Sequence, residues 1–298
     1  MIRTLKISLS VVAVLLVGLL AFGGFQLWAY ESQAAEIWEV EPPRISVVTD
    51  SAVVERGAHV GRAIGACTGC HGEDLAGGIV EDLGPIGVIH APNLTAGEGG
   101  VGGDYTDAEL ARAIRHGIRR DGTSLRFMPT REHNWWSDED LAAVVSWVRT
   151  FPPVANQVPP TTVRPLGKLL DRAGFLPILS ATTVDHEAPP PDIAPGPTAA
   201  YGAFLARSCS TCHGETFAGG RIPGAPAELP APRNLTPHPT GLAGWTQEDF
   251  ARAMRQGIRP DGTELQDFMP TFTSFTEMEV SALWQYFQSI DALEYGER

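Results

Sequence analysis

Lysine is almost missing. It occurs only at Lys6 and Lys168 in 298 residues, which leaves no lysine ring for docking an acidic partner. Basic residues total 22 against 35 acidic ones, a formal net charge of −13. That balance excludes nucleic acid and anionic lipid as partners of the soluble part. Cysteine is scarce as well. Four cysteines are too few for a disulfide scaffold at this length. Alternating runs and hairpin signals of weight are absent, so no sheet is expected. Gly (32) and Pro (24) are plentiful, which points to a loop-rich chain, and 43% hydrophobic residues suffice for buried cores. At about 150 residues per domain the length suggests two domains.

The longest uncharged run is Ile7 to Tyr30, preceded by Arg3 and Lys6. Its length exceeds the about 7–15 residues of a signal h-region and matches the about 20 of a membrane span. Trp28 and Tyr30 close it where an aromatic belt would sit, and Glu31, Glu36, Glu39 and Glu41 follow. The run reads as a single-pass anchor with the bulk of the chain outside. A cleaved signal ending at Ser32-Gln33-Ala34 is the alternative; both readings export the remainder.

The remainder repeats. Cys67-Thr68-Gly69-Cys70-His71-Gly72-Glu73 returns as Cys209-Ser210-Thr211-Cys212-His213-Gly214-Glu215. Asn93-Leu94-Thr95 returns as Asn234-Leu235-Thr236, and the segment from Ala111 to Thr130 returns from Ala251 to Thr271 with one residue inserted. The organisation expected is an anchor at 1–31, a linker at 32–47, a first domain at 48–152, a Pro-rich linker at 153–196 and a second domain at 197–298. Residues 152–197 hold 11 of the 24 prolines and should be stiff and extended. An apolar patch, Leu166 to Ser180, interrupts them; packing across the domain junction is favoured over contact with the membrane.

Each half reads as helical. Capping signals place helices from Thr106 to about His116 and from Ser137 to about Thr150, with counterparts from Thr246 and Thr276. Short helices are expected at 52–66 and 198–208.

All four cysteines lie in two C-x-x-C-H motifs, the signature of covalent c-type haem attachment. The two thiols of a motif add to one porphyrin's vinyl groups, and the adjacent His71 or His213 reaches the iron. Zinc would need four closing ligands, and a redox C-x-x-C would need a βαβ setting. Two haem c groups are therefore expected. Met128 and Met269, each followed by Pro-Thr and lying 57 and 56 residues after its histidine, are the candidate sixth ligands. Met254 reads as core and Met278 as exposed. The remaining histidines, including His116 and His133, do not recur as pairs and read as surface residues. Arg112, Arg115, Arg252 and Arg255 recur in both halves, on a solvated helix face or against propionates. Trp135-Trp136 reads as packing.

With these residues in view, each half resembles the class I cytochrome c fold, and the whole resembles a two-domain, di-haem cytochrome c. The resemblance implies an all-α architecture: two tandem class I domains after a transmembrane helix. It implies that Gly57 crosses Trp147 and Gly202 crosses Tyr286. It also implies that the turn Ala91-Pro92-Asn93-Leu94 offers a carbonyl to the proximal histidine and Leu94 to the haem. In Pro232-Arg233-Asn234-Leu235, Arg233 replaces the family's proline and Leu235 is the haem contact. The pattern N-L-T…W-T-x-E-D-F…M-P is similar to cytochrome subunits of membrane-bound alcohol, aldehyde and sugar-acid dehydrogenases, which commonly carry three such domains.

The function expected is one-electron transfer with His/Met ligation, without catalysis of its own. The setting expected is the periplasmic side of a bacterial cytoplasmic membrane. Partners would be redox proteins or subunits of a respiratory, photosynthetic or dehydrogenase complex, with no small-molecule substrate. A free carrier and a fixed subunit stay open, as does a di-haem peroxidase with one open haem; a haem-based gas sensor is the remotest alternative.

Overall fold

A computed structural model describes residues 2–222, 228–266 and 268–297. Helix α1 (Ile2–Ala34) contains a continuous apolar stretch, Ser10–Ala34, long enough to cross a bilayer. In the first half follow α2 (Ser51–His59), a π-turn (Val60–Ile64), α3 (Cys67–His71), β1 (Gly78–Asp82) and β2 (Gly87–Ala91). Then come α4 (Asp107–His116), α5 (Thr130–His133) and α6 (Asp138–Val148). The connecting segment contributes β3 (Thr162–Val163), α7 (Pro165–Arg172) and a 3-10 turn (Ser180–Thr183). The second half has α8 (Ala199–His213), α9 (Gln247–Gln256) and α10 (Glu277–Ser289).

The three strands correct the all-α expectation. They form one antiparallel sheet in the order β1-β2-β3. β1 and β2 make a hairpin around Gly84-Pro85, a turn dipeptide in a four-residue loop. A bulge between Ile79 and Glu81 breaks the side-chain alternation, which is why no period-2 pattern is visible. β3 comes from the Pro-rich linker and pairs at Val88↔Thr162, far away in sequence. The described part is thus mixed in content, although the cores of both halves are built by helices.

Those cores follow the amphipathic pattern. Val60, Leu110, Leu141, Val144 and Trp147 lie in one; Leu205, Phe250, Leu283 and Phe287 lie in the other. In each half the first and last helices cross at a glycine. A Cβ at Gly57 would stand 1.9 Å from the Ala143 carbonyl oxygen, and one at Gly202 would stand 2.0 Å from that of Ala282. Capping boxes at Thr106/Glu109, Thr246/Asp249 and Thr276/Glu279 start three of the helices.

The halves differ before their motifs. Ten positions separate Gly57 from Cys67, but seven separate Gly202 from Cys209. The π-turn absorbs the surplus, and left-handed Ala66 (φ 49°) breaks the chain before α3. α8 instead runs unbroken through Cys209 and Cys212 to His213, beyond the residue 208 expected.

The linker is wrapped, not free. Asn93 Nδ2 donates to the Val154 carbonyl (2.7 Å), fastening the linker's first residues to the first half. Its second part packs on α1, so the apolar patch contacts that helix and not the domain junction. Tyr30, Ala34 and Leu179 form a small buried cluster there. His186 of the linker meets His116 at the end of α4, with their Nδ1 atoms 3.1 Å apart. His116 is only 8% exposed, against the surface position expected. Burial, His186, Arg115 and Arg112 together push its pKa down to about 4. An unfolded histidine titrates near about 6.5. Between these values the unfolded chain takes up a proton that the folded one refuses, so stability falls as pH drops from 6.5 to 4. His116→Gln, which copies Gln256 of the second half, should flatten that part of the profile by several degrees in Tm. Thermal melts of both proteins across this range check it.

Candidate functional site

Two cavities carry the sequence-identified residues, one per half. The first, of about 140 Å³, is lined by Cys70, His71, Pro92, Leu94 and Met128, with Ile114 and Val145 among its apolar walls. The second, of about 420 Å³, is lined by Cys212, His213, Arg233, Leu235 and Met269, with Phe250 and Met254. Residues 56 and 57 positions apart in sequence thus share one wall system in each half.

Both histidines are buried, and each is oriented by a hydrogen bond from its Nδ1. His71 Nδ1–H donates to the Pro92 carbonyl at 2.9 Å, and His213 Nδ1–H donates to that of Arg233 at 2.7 Å. Exchange of proline for arginine leaves the acceptor in place, because it is a backbone oxygen. Burial lowers the His71 pKa, which keeps the ring neutral with Nε2 as a lone-pair donor. The asparagine after each acceptor pins its turn: Asn93 holds Val154, and Asn234 Nδ2 reaches the Leu293 carbonyl at 2.8 Å. The repeat of N-L-T in the sequence marked these anchors without revealing their role.

Burial pushes the Cys67 and Cys209 thiols up to about 12. Among the described residues no three His, Cys, Asp or Glu side chains converge as a metal cluster.

The fit of a porphyrin can be tested on the first cavity's own atoms. His90 Nδ1 and Arg126 Nε line its wall, are buried and lack a hydrogen-bond partner. A ligand with apolar faces and a carboxylate edge satisfies both donors and fills the apolar walls. Met128 sits beside Phe127, whose left-handed backbone (φ 61°) is unusual for an aromatic residue and is a strained position at the site. The Met128 loop is held from outside: Phe127 N–H donates to the Ile178 carbonyl (2.9 Å), and Ser180 Oγ–H donates to the Met128 carbonyl (2.9 Å).

α5 of the first half meets the second motif. Glu132 on α5 accepts a hydrogen bond from Thr211 Oγ, inside the second motif. Its carboxylate also acts on both Cys70 and Cys209, adding to the burial that raises each thiol. Burial raises Glu132's own pKa. Arg131 pairs with Glu215, and the Arg207 guanidinium stacks 3.5 Å over Trp135. His59 Nε2 meets Glu279 Oε1 at 2.7 Å, with Glu279 only 1% exposed.

Several side chains serve otherwise than expected. Arg115 is buried and ties α4 to the start of α6 through Asp138 (2.6 Å) and the Trp136 carbonyl (2.8 Å). Arg255 does the same toward the Phe275 carbonyl (3.0 Å). These two arginines staple their helix to the approach of the last helix in each half. His133 is buried too; its Nε2–H donates to the Gly65 carbonyl at 3.2 Å. Met278 is half-buried against the second core. Trp136 is core, while Trp135 belongs to the interface.

Paired thiols, an oriented neutral histidine and a methionine on one apolar cavity are the residue set of a c-type cytochrome. The profile of the family described as cytochrome c oxidase, cbb3-type, subunit III matches residues 52–148 and again 197–287. The chain belongs to that family. It is similar to the cytochrome c subunit of alcohol dehydrogenase (quinone) from Gluconobacter oxydans, 30% identical over 83% of this chain and 56% of that protein. It is also similar to the gluconate 2-dehydrogenase cytochrome c subunit of Pantoea cypripedii, 27% identical over 82% of this chain and 60% of that protein. The fructose dehydrogenase cytochrome subunit of Gluconobacter japonicus is 33% identical over 37% of this chain and 25% of that protein. The chain spans little more than half the length of the first two.

Proposed function

We propose that this chain carries single electrons through two covalently attached haem c groups, as a membrane-tethered electron-transfer subunit of a dehydrogenase complex. The observation that carries the reading is the pairing repeated in both halves. Each cavity brings a motif histidine and cysteine together with the methionine some 56 residues away. Cys67 and Cys70 would attach one group, with His71 and Met128 as axial ligands. Cys209 and Cys212 would attach the other, with His213 and Met269. Haem c supplies the one-electron couple, and Met/His ligation sets it at a high potential.

The protein's share is positional. Pro92 and Arg233 carbonyls fix each imidazole ring and raise its basicity. Apolar walls, with Leu94 and Leu235 against the ring, exclude water and favour the less charged ferrous state. Glu132 and Arg131 of α5 tie the first half to the second motif, which would keep the two groups near one another.

Tyr30 and Ala34 are buried against the linker, and cleavage at the A-x-A-like site would split this contact. That supports a retained anchor, with both halves on the periplasmic face of the bacterial cytoplasmic membrane. The relatives' names support a dehydrogenase setting.

An optical spectrum of the purified protein, oxidised and reduced, with carbon monoxide and with peroxide, tests the reading. Two low-spin haems per chain that ignore both ligands are expected. A high-spin fraction, or one haem that binds carbon monoxide, would overturn the double His/Met assignment and favour a peroxidase.

A further inference from the structure

We propose that α7 and the turn after it lie in the bilayer interface beside the anchor, and hold the first half with its Met128 loop toward the membrane. The proposal rests on the reading of α1 as a retained anchor.

Depth is the first argument. About 20 residues span the hydrocarbon core. Counted from Ser10, that leaves the last turns of α1, around Tyr30 to Ala34, at headgroup level. α7 grips this level. Lys168 pairs with Glu31 and lies over the Tyr30 ring, while Arg172 Nη1 donates to Gln33 Oε1 at 2.9 Å and its Nε to Gln26 Oε1 at 3.3 Å. A helix fastened to residues 26–33 of the anchor shares their depth.

Composition is the second. Arg164, Lys168 and Arg172 recur every fourth residue and form one polar stripe, already paired with the anchor and the first half. Apolar side chains remain outside: Leu166 is 42% exposed and Phe175 59%. Trp28, 64% exposed, lies on the anchor at the same end, where an aromatic belt belongs. Short amphipathic helices of this kind settle in the interface. The occupant of this apolar face is lipid, because the face continues the surface of the membrane-spanning helix.

The consequence follows the chain. Ile178, Leu179 and Ser180 leave α7 and bind the backbone of Arg126, Phe127 and Met128. The Arg126 guanidinium also lies beside the Tyr30 hydroxyl. The loop that carries Met128 is therefore fastened directly to the outer end of the anchor. The first site is thus the one tied to the anchor.

The test uses the full-length haem-loaded protein with a nitroxide attached to Phe175→Cys or, as a control, Tyr295→Cys near the C-terminus. The protein is reduced and reconstituted in phosphatidylcholine vesicles, a neutral surface chosen because the chain is acidic. Relaxation by oxygen, which concentrates in lipid, is compared with relaxation by a water-soluble nickel chelate. Expected is an oxygen-to-nickel ratio several-fold higher at 175 than at 295. Equal, water-like ratios in protein that floats with the vesicles would overturn the proposal. Protein that fails to float would overturn the anchor reading instead. Leu166→Cys provides an independent second site, expected to follow 175.

Discussion

Met269→Ala should open the second site alone. The reduced variant is expected to bind carbon monoxide at one haem of two, and the potential of that haem should fall. Axial ligands set haem potentials over roughly 0.8 V, and loss of the thioether removes the ligand that favours ferrous iron. Met128→Ala should do the same to the first site, but less completely. Its cavity is about 140 Å³ against about 420 Å³, and its loop is tied to Ile178 and Ser180. Carbon monoxide should therefore enter the first site more slowly. Flash-photolysis rebinding and a redox titration of each variant measure both effects. If either variant keeps two low-spin, ligand-free-reacting haems of unchanged potential, that methionine is not the axial ligand. The same experiment on Met254→Leu is the control, since Met254 lies in the second cavity's wall as core; its potential should move little.

The second large effect concerns folding. Gly57→Ala and Gly202→Ala add one methyl group each, yet that carbon would stand 1.9 Å and 2.0 Å from backbone carbonyl oxygens of the facing helix. Neither oxygen belongs to a mobile side chain, so the helices must separate. Overpacking of this kind costs about 1–3 kcal/mol and occasionally more, and a clash with backbone belongs at the upper end. At 60–100 residues a domain loses roughly 4–8 °C in Tm per kcal/mol. A loss above 10 °C in the affected half is expected from Gly57→Ala, read by melting monitored at the haem and at the far-ultraviolet helix signal. Gly244→Ala, where the added carbon meets nothing within 4 Å, should leave the melt almost unchanged.

The elements that were legible share one property: their cause is local. Capping boxes at Thr106, Thr246 and Thr276 start helices where the sequence signals them. Equally local in cause are the turns at Asp121-Gly122-Thr123 and Asp261-Gly262-Thr263, where the structure shows aspartate accepting from the threonine N–H two residues later, at 2.9 Å in both. The acceptor roles of Pro92 and Arg233 were readable only through the resemblance to class I cytochromes c, whose turn recurs in both halves. What escaped depends on partners distant in the chain. The hairpin at Gly84-Pro85 carried its turn signal, but the bulge after Ile79 hid the alternation and β3 lay some 75 residues away. His116 and His186 looked solitary because neither recurs in the other half, and only the wrapped linker brings them within 3.1 Å. Arg115 and Arg255 recur, yet recurrence alone does not separate a staple from a solvated face; their bonds to the Trp136 and Phe275 carbonyls do.

By itself the sequence determined the inventory of this protein: two C-x-x-C-H motifs, two methionines at matching intervals, a repeated segment and an apolar N-terminal run. These are covalent facts or local patterns, and they hold however the halves are arranged. Only the tertiary structure decided where the parts stand. It set Glu132 of the first half against Thr211 of the second motif, wrapped the Pro-rich linker onto the first half, and fastened α7 to the end of α1. Such choices follow from long-range burial and pairing, in which each contributing residue is ordinary until its partner arrives.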